Sequence, residues 1–227
     1  MPTLRPLLLA LLAFHAARPA AAATATDDQV WVNLTAIGSI KGNLTYFAEV
    51  QPRVGESVSR LSNLLLRPAI GWKVTPSLTF YQGYAHVASP RSGAADRNEE
   101  RLFQQVSWTG QIGRGEIQTR TRLEQRWLSD GDQMGWRLRQ MVRLEWPLTD
   151  RKKGVAAMGW AEEFVALNDT DWGARAGHDQ LRVFAGMEVP LRGRSTVELG
   201  YMNQTINQSG GRRQMNHIAS VTLWLRP

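Results

Sequence analysis

The run Glu116–Leu128, EIQTRTRLEQRWL, sets Glu116, Gln118, Arg120, Arg122, Glu124 and Arg126 at every second position. Ile117, Thr119, Thr121, Leu123, Gln125 and Trp127 stand between them. Successive side chains of a strand point to opposite faces, so this spacing makes one charged face and one mostly apolar face. A second run repeats the split. There Arg137, Arg139, Arg143 and Glu145 alternate with Trp136, Leu138, Val142, Leu144 and Trp146. A short loop containing Asp130-Gly131 joins the two runs, which predicts a hairpin. Interleaved arginines and carboxylates have two chemistries open to them. They can neutralise one another as a filled ion-pair network, and charge networks are more often structural than functional. Alternatively they can line a path that favours anions, as rings of arginine do.

The same alternation extends along the chain. We read eleven strand-like segments, near 30–38, 44–54, 60–74, 77–88, 100–112, 115–128, 135–147, 154–167, 179–190, 195–206 and 215–226. Arg182 and Glu188, in the ninth segment, are assigned to the charged face. Short turns alternate with longer polar loops. This is the layout of an antiparallel transmembrane up-and-down β-barrel of about 10–12 strands, with short turns in the periplasm and loops outside. In that arrangement Arg120, Arg122, Glu124, Arg126, Arg137, Arg139, Arg143, Glu145, Arg182 and Glu188 fill the lumen. Leu123, Trp136, Leu138, Val142, Leu144 and Trp146 face lipid. Bacterial single-chain barrels have an even strand count. Eleven therefore implies either a missed strand or an unusual first segment. The same alternation also suits a soluble barrel or sandwich turned the other way out.

Other features bear on that choice. Met1 to Ala23 has a short basic start, the stretch LLLALLAF and an Ala-rich end, which reads as a secretory signal peptide. The barrel is then expected over 24–227. Removing Arg5 and Arg18 lowers the net charge from +7 to about +5. There is no Cys, so the exported domain has neither disulfides nor thiolate ligands. Of the 27 basic residues only Lys41, Lys73, Lys152 and Lys153 are lysines. Arginine suits a packed polar lumen, because its planar fork satisfies several oxygens at once. Trp72, Trp108 and Trp146 precede short turns, and Trp127, Trp136 and Trp172 flank long loops, which suggests two interfacial girdles.

The strings EEFVALN (Glu162–Asn168), DQLRVFAG (Asp179–Gly186), ELGYMNQ (Glu198–Gln204) and NHIASVTL (Asn216–Leu223), with Val30-Trp31, carry a family resemblance. The chain resembles uncharacterised outer-membrane β-barrels of Gram-negative bacteria that are catalogued as a domain of unknown function. The resemblance spans nearly all of the mature chain and implies a fold and a location, with no known activity. The ending Leu225-Arg226-Pro227 departs from the aromatic terminus common in such barrels.

Catalysis is the competing class. A lipid-modifying barrel enzyme needs a His beside a Ser. His217 and Ser220 are three apart and so point to opposite faces of a strand. His86 and His178 have no strand Ser nearby on the same face, so we expect no enzyme and assign no catalytic residue. Asp130-Gly131-Asp132 and Asn168-Asp169-Thr170-Asp171 lack full Ca²⁺-loop spacing and read as polar turns, so neither metal nor cofactor is expected. The basic pI invites a nucleic-acid reading, but arginines alternating with apolar residues along strands are spread through a lumen, so nucleic acid is set aside. The expected partner is outer-membrane lipid, around a monomer by default.

Overall fold

The computed structural model describes residues 24–149 and 154–227. The expected signal peptide lies outside the described residues. The described residues form eleven strands: β1 (Thr24–Lys41), β2 (Leu44–Gly55), β3 (Arg60–Lys73), β4 (Leu78–Ser89), β5 (Arg97–Ile112), β6 (Gly115–Leu128), β7 (Gly135–Pro147), β8 (Ala156–Ala166), β9 (Gly177–Pro190), β10 (Thr196–Asn207) and β11 (Arg213–Leu225). Each pairs antiparallel with the next in sequence, and together they close a barrel.

The odd count is resolved at the seam. An up-and-down walk of eleven strands leaves β1 and β11 running the same way. They pair in parallel from Thr24↔Arg213 to Ala36↔Leu225. No twelfth strand is needed, and the first segment is a full wall strand that starts six residues before the expected Val30. Closure gives every strand among the described residues a neighbour on both sides. The β6–β7 hairpin has the expected faces in register, with Glu124 opposite Arg137 and Arg122 opposite Arg139.

The polar face is inside. Arg122, Glu124, Arg137, Arg139 and Glu162 are buried, while Leu34, Ile70, Leu144 and Leu199 are exposed on the outer wall. The sandwich alternative is excluded by closure. The lumen also holds two apolar clusters. One joins Trp31, Met158, Phe184, Met202 and Ile218, and the other joins Ala69, Tyr81 and Phe103. Inward glycines make room for these rings. A Cβ on Gly83 would lie 2.2 Å from the Phe103 ring, and one on Gly200 would lie 2.5 Å from that of Phe184.

The outer wall is not uniformly apolar. Gln104 donates to Gln82 and accepts from Gln125, both at 3.0 Å, and Thr121 donates to Gln140 at 2.5 Å. These groups satisfy one another within the wall, which lowers the cost of facing an apolar medium.

At the turn end, Trp72, Trp108 and Trp146 stand exposed on the outer wall. At the loop end, Trp127 and Trp136 also point outward. Trp172 does not join them, contrary to the girdle expectation. Its loop folds back toward the β6–β7 loop, where the Trp172 indole donates to the Gln133 carbonyl at 2.6 Å and the Arg126 guanidinium lies 5.0 Å from its ring centroid. The β2–β3 turn is unusual too. Glu56, Ser57 and Val58 all have φ between 52° and 61°. The Asp27 carboxylate accepts from the amides of Glu56 and Ser57 at 3.1 and 2.8 Å and holds that turn.

Candidate functional site

The lumen contains two chambers, about 540 Å³ at the loop end and about 800 Å³ at the turn end. Five side chains line both: Trp31, Arg53, Arg67, Arg139 and Arg182. They form a partition of four cations and one indole across the barrel. Charge is nearly balanced on either side of it. Four arginines and four acidic residues line the loop-end chamber alone. Five basic and six acidic side chains line the turn-end chamber alone.

The hairpin residues supply most of the ion pairs around the partition. Glu124, 1% exposed, accepts from Arg137 Nη2 at 2.6 Å and from Arg139 Nη1 at 2.7 Å. Arg139 also makes a two-pronged pair with Glu162, at 3.0 Å on each prong. Arg120 donates to the same carboxylate at 2.8 Å. Arg122 has no close carboxylate pair. Its Nε donates to Gln105 at 2.8 Å, Glu124 stands 3.7 Å away, and its Nη1 has no partner among the described residues. Arg126 shares Glu99 with Arg101. Such a network holds geometry, because removing one member strands a buried charge.

Arg143 lies apart, near the turn end. It gathers three carboxylates, Glu145 at 2.9 Å, Glu188 at 3.0 Å and Glu198. The predicted charged residues therefore fall into two groups. One surrounds the partition, and the other (Arg143, Glu145 and Glu188) lines the turn-end chamber. On the outer wall, Leu138 (36% exposed), Leu144 (51%) and Trp146 (50%) are exposed, and Leu123, Trp136 and Val142 are half-buried.

Arg53 and Arg182 differ from the rest. No described carboxylate lies within ion-pair distance of either. Arg53 Nε and Nη2 donate to Gln51 at 3.0 and 2.6 Å. With the Gln180 amide turned to suit its neighbours, its oxygen accepts from Arg182 Nε and Nη2 at 2.8 and 2.9 Å. Both guanidiniums lie over the Trp31 ring, 3.9 and 4.9 Å from its centroid. Arg182 and Arg139 also lie over Phe164, at 4.7 and 4.3 Å. An amide oxygen and a π face orient a guanidinium without cancelling its charge.

Sequence reasoning assigned Arg182 to the lumen but missed Trp31, Arg53, Arg67 and Glu49. Arg67 donates to Glu49 at 2.6 Å. The signal for Glu49 and Arg53 was alternation in β2, where Thr45, Phe47, Glu49, Gln51 and Arg53 share the inner face. Aromatic and polar residues mix on that face, which hides the pattern. Arg67 stands in the run LLLRPAI, where both faces look apolar.

The histidines among the described residues lie away from the partition. His86 contacts Glu100 at 2.7 Å, His178 contacts Glu163, and His217 contacts Tyr201 at 2.6 Å, all on the outer wall.

No solved structure matches the chain. An uncharacterized protein of Methylorubrum extorquens is 46% identical over 223 residues, covering 98% of this chain and 97% of its own length. Residues 28–216 match the family described as "Protein of unknown function (DUF2490)", and the chain belongs to that family.

Proposed function

We propose that the protein is an outer-membrane β-barrel that forms a narrow, low-conductance path favouring small anions. The observation that carries this reading is the partition: two chambers meet at four arginines and Trp31, with no acidic side chain common to both. A cationic constriction between water-accessible chambers repels small cations and attracts small anions. The dense pairing of Arg139 with Glu124 and Glu162 limits the width of the path and supports low conductance.

Three features support the location. The outer wall carries large exposed apolar side chains around the barrel, the polar groups are turned inward, and tryptophans stand at the turn end. The N-terminal segment has the composition of an export signal. Lipid is then the partner of the outer wall.

Two measurements test the reading. The mature chain should fractionate with outer membranes and migrate differently on gels before and after heating. In planar bilayers under a KCl gradient, small currents should reverse at a potential set mainly by chloride. Recovery as a soluble periplasmic protein rejects the location. Cation-selective currents reject the path.

A further inference from the structure

Arg53 and Arg182 have a geometry that ion pairing does not explain. Every other arginine of the partition has a carboxylate partner: Arg67 has Glu49, and Arg139 has Glu124 and Glu162. Arg53 and Arg182 are held through Nε and Nη2 by neutral glutamine oxygens, leaving Nη1 of each uncommitted among the described residues. They come from different strands, β2 and β9, and each lies against the Trp31 indole. Neither guanidinium is neutralised by a direct ion pair, so a small anion bound against either one gains a charge-assisted contact. Both line the loop-end chamber, whose volume of about 540 Å³ suits a small solute.

We infer that Arg53, Arg182 and Trp31 form an oxyanion-binding site, entered from the loop-end chamber, for a small solute bearing a phosphate, sulfate or carboxylate group. Guanidinium forks match the paired oxygens of these groups and bind them through short, charge-assisted hydrogen bonds. Gln51 and Gln180 fix the two forks in advance, so little side-chain freedom is lost on binding. The inference rests on the pore reading for its purpose. The site itself needs only the folded barrel.

The test is isothermal titration of the detergent-folded protein at low ionic strength with inorganic phosphate, sulfate and succinate as separate probes. One saturable site is expected for at least one probe. Comparing the three separates phosphoryl or sulfuryl recognition from carboxylate recognition. Arg53→Gln and Arg182→Gln should each weaken binding roughly ten- to a hundredfold. Arg53→Lys should retain more affinity than Arg53→Gln, because it keeps the charge and loses only the fork. Gln104→Leu, on the outer wall, should leave binding unchanged. Retention of heat-modifiable migration verifies that each variant is folded. A variant that fails this check is replaced by displacement of phosphate from the unmodified barrel by chloride, which must occur at a single site. Absence of saturable binding by all three probes in the folded barrel overturns the inference, as does undiminished binding in a folded Arg53→Gln/Arg182→Gln variant. Binding without ionic current keeps the site and rejects the pore, so the two readings fail separately.

Discussion

Glu124 is the residue on which the buried network turns. It is fully enclosed and accepts from both Arg137 and Arg139. Glu124→Gln keeps the shape and removes the charge, leaving buried Arg137 with only the more exposed Asp179 at 3.2 Å and buried Arg139 with only Glu162. Breaking a buried pair from one side typically costs about 3–5 kcal/mol. The loss should be read as a lower urea midpoint for unfolding from lipid vesicles. Glu145→Gln should behave differently, because Glu145 is partly exposed and Arg143 keeps Glu188 and Glu198. For such a screened, redundant pair the expected cost is under about 1 kcal/mol. Equal losses at both sites would contradict the division into an enclosed and a hydrated group. Strain at the β2–β3 turn gives a change of opposite sign. Val58 is β-branched and sits at φ 61°, a conformation that costs an L-residue roughly 1–2 kcal/mol. Val58→Gly removes that clash at the expense of greater unfolded-state freedom, so a net gain of up to about 1 kcal/mol is expected. A loss of stability would mean that the Val58 side chain contributes packing that outweighs the strain.

At the scale of elements, the strands were legible because each alternates polar and apolar residues over ten or more positions. Gln118, Arg120, Arg122 and Glu124 settle which face of β6 is which before any pairing is known. The partition was not legible, because it joins β1, β2, β3, β7 and β9, and alternation within one strand says nothing about which strands share a height. The inward turn of Trp172 was hidden for a related reason. A tryptophan beside a loop reads as interfacial until the loop's path is known. That path is fixed by carboxylates. Asp169 accepts from the Ala176 amide at 2.8 Å, and Asp171 from the Asp132 amide at 2.8 Å. These amide hydrogen bonds hold both carboxyls below the usual aspartate range. A depressed folded-state pKa stabilises above the unfolded value of about 3.9 and is lost as pH falls through the folded one. Acidification below about pH 4 should therefore loosen the β8–β9 loop first, seen as faster hydrogen exchange at Ala176 and Asp132 while the strand amides stay protected. Uniform exchange across barrel and loop would show that these carboxylates do not hold it. The outer face of β7 gives the complementary test. Val142→Arg near the middle of that strand should cost roughly 2–4 kcal/mol in vesicles if the face meets hydrocarbon. Arginine at Gln118, which lines the turn-end chamber, should be tolerated. Equal tolerance at both positions would contradict lipid exposure of this wall.

For the whole molecule, the decisive feature is the seam. An odd number of strands closes only if its first and last strands run parallel, and parallel pairing is slightly weaker per residue than antiparallel pairing. This barrel compensates with length, since the β1–β11 register holds over thirteen consecutive residues. Trp31 of β1 and Ile218 of β11 both enter the same inner cluster, which packs the seam from within. The seam also positions the partition, because Trp31 is its one aromatic member and β1 brings it beside Arg53 of β2. The chain contains no Cys, so a single introduced pair can report on the register without competing thiols. Val32 and Val221 are directly paired and both face outward. Adjacent strands are roughly 4.8 Å apart, within the range a disulfide spans. Val32→Cys/Val221→Cys should therefore form an intramolecular disulfide on mild oxidation of the folded protein, shifting its migration on a non-reducing gel. Val32→Cys/Ala219→Cys, displaced by one two-residue step, should cross-link far less at the same oxidant concentration. Preferential cross-linking of the displaced pair would move the register. Failure of both pairs in a folded, heat-modifiable barrel would mean that β1 does not close the wall, and the Trp31 partition would fall with it.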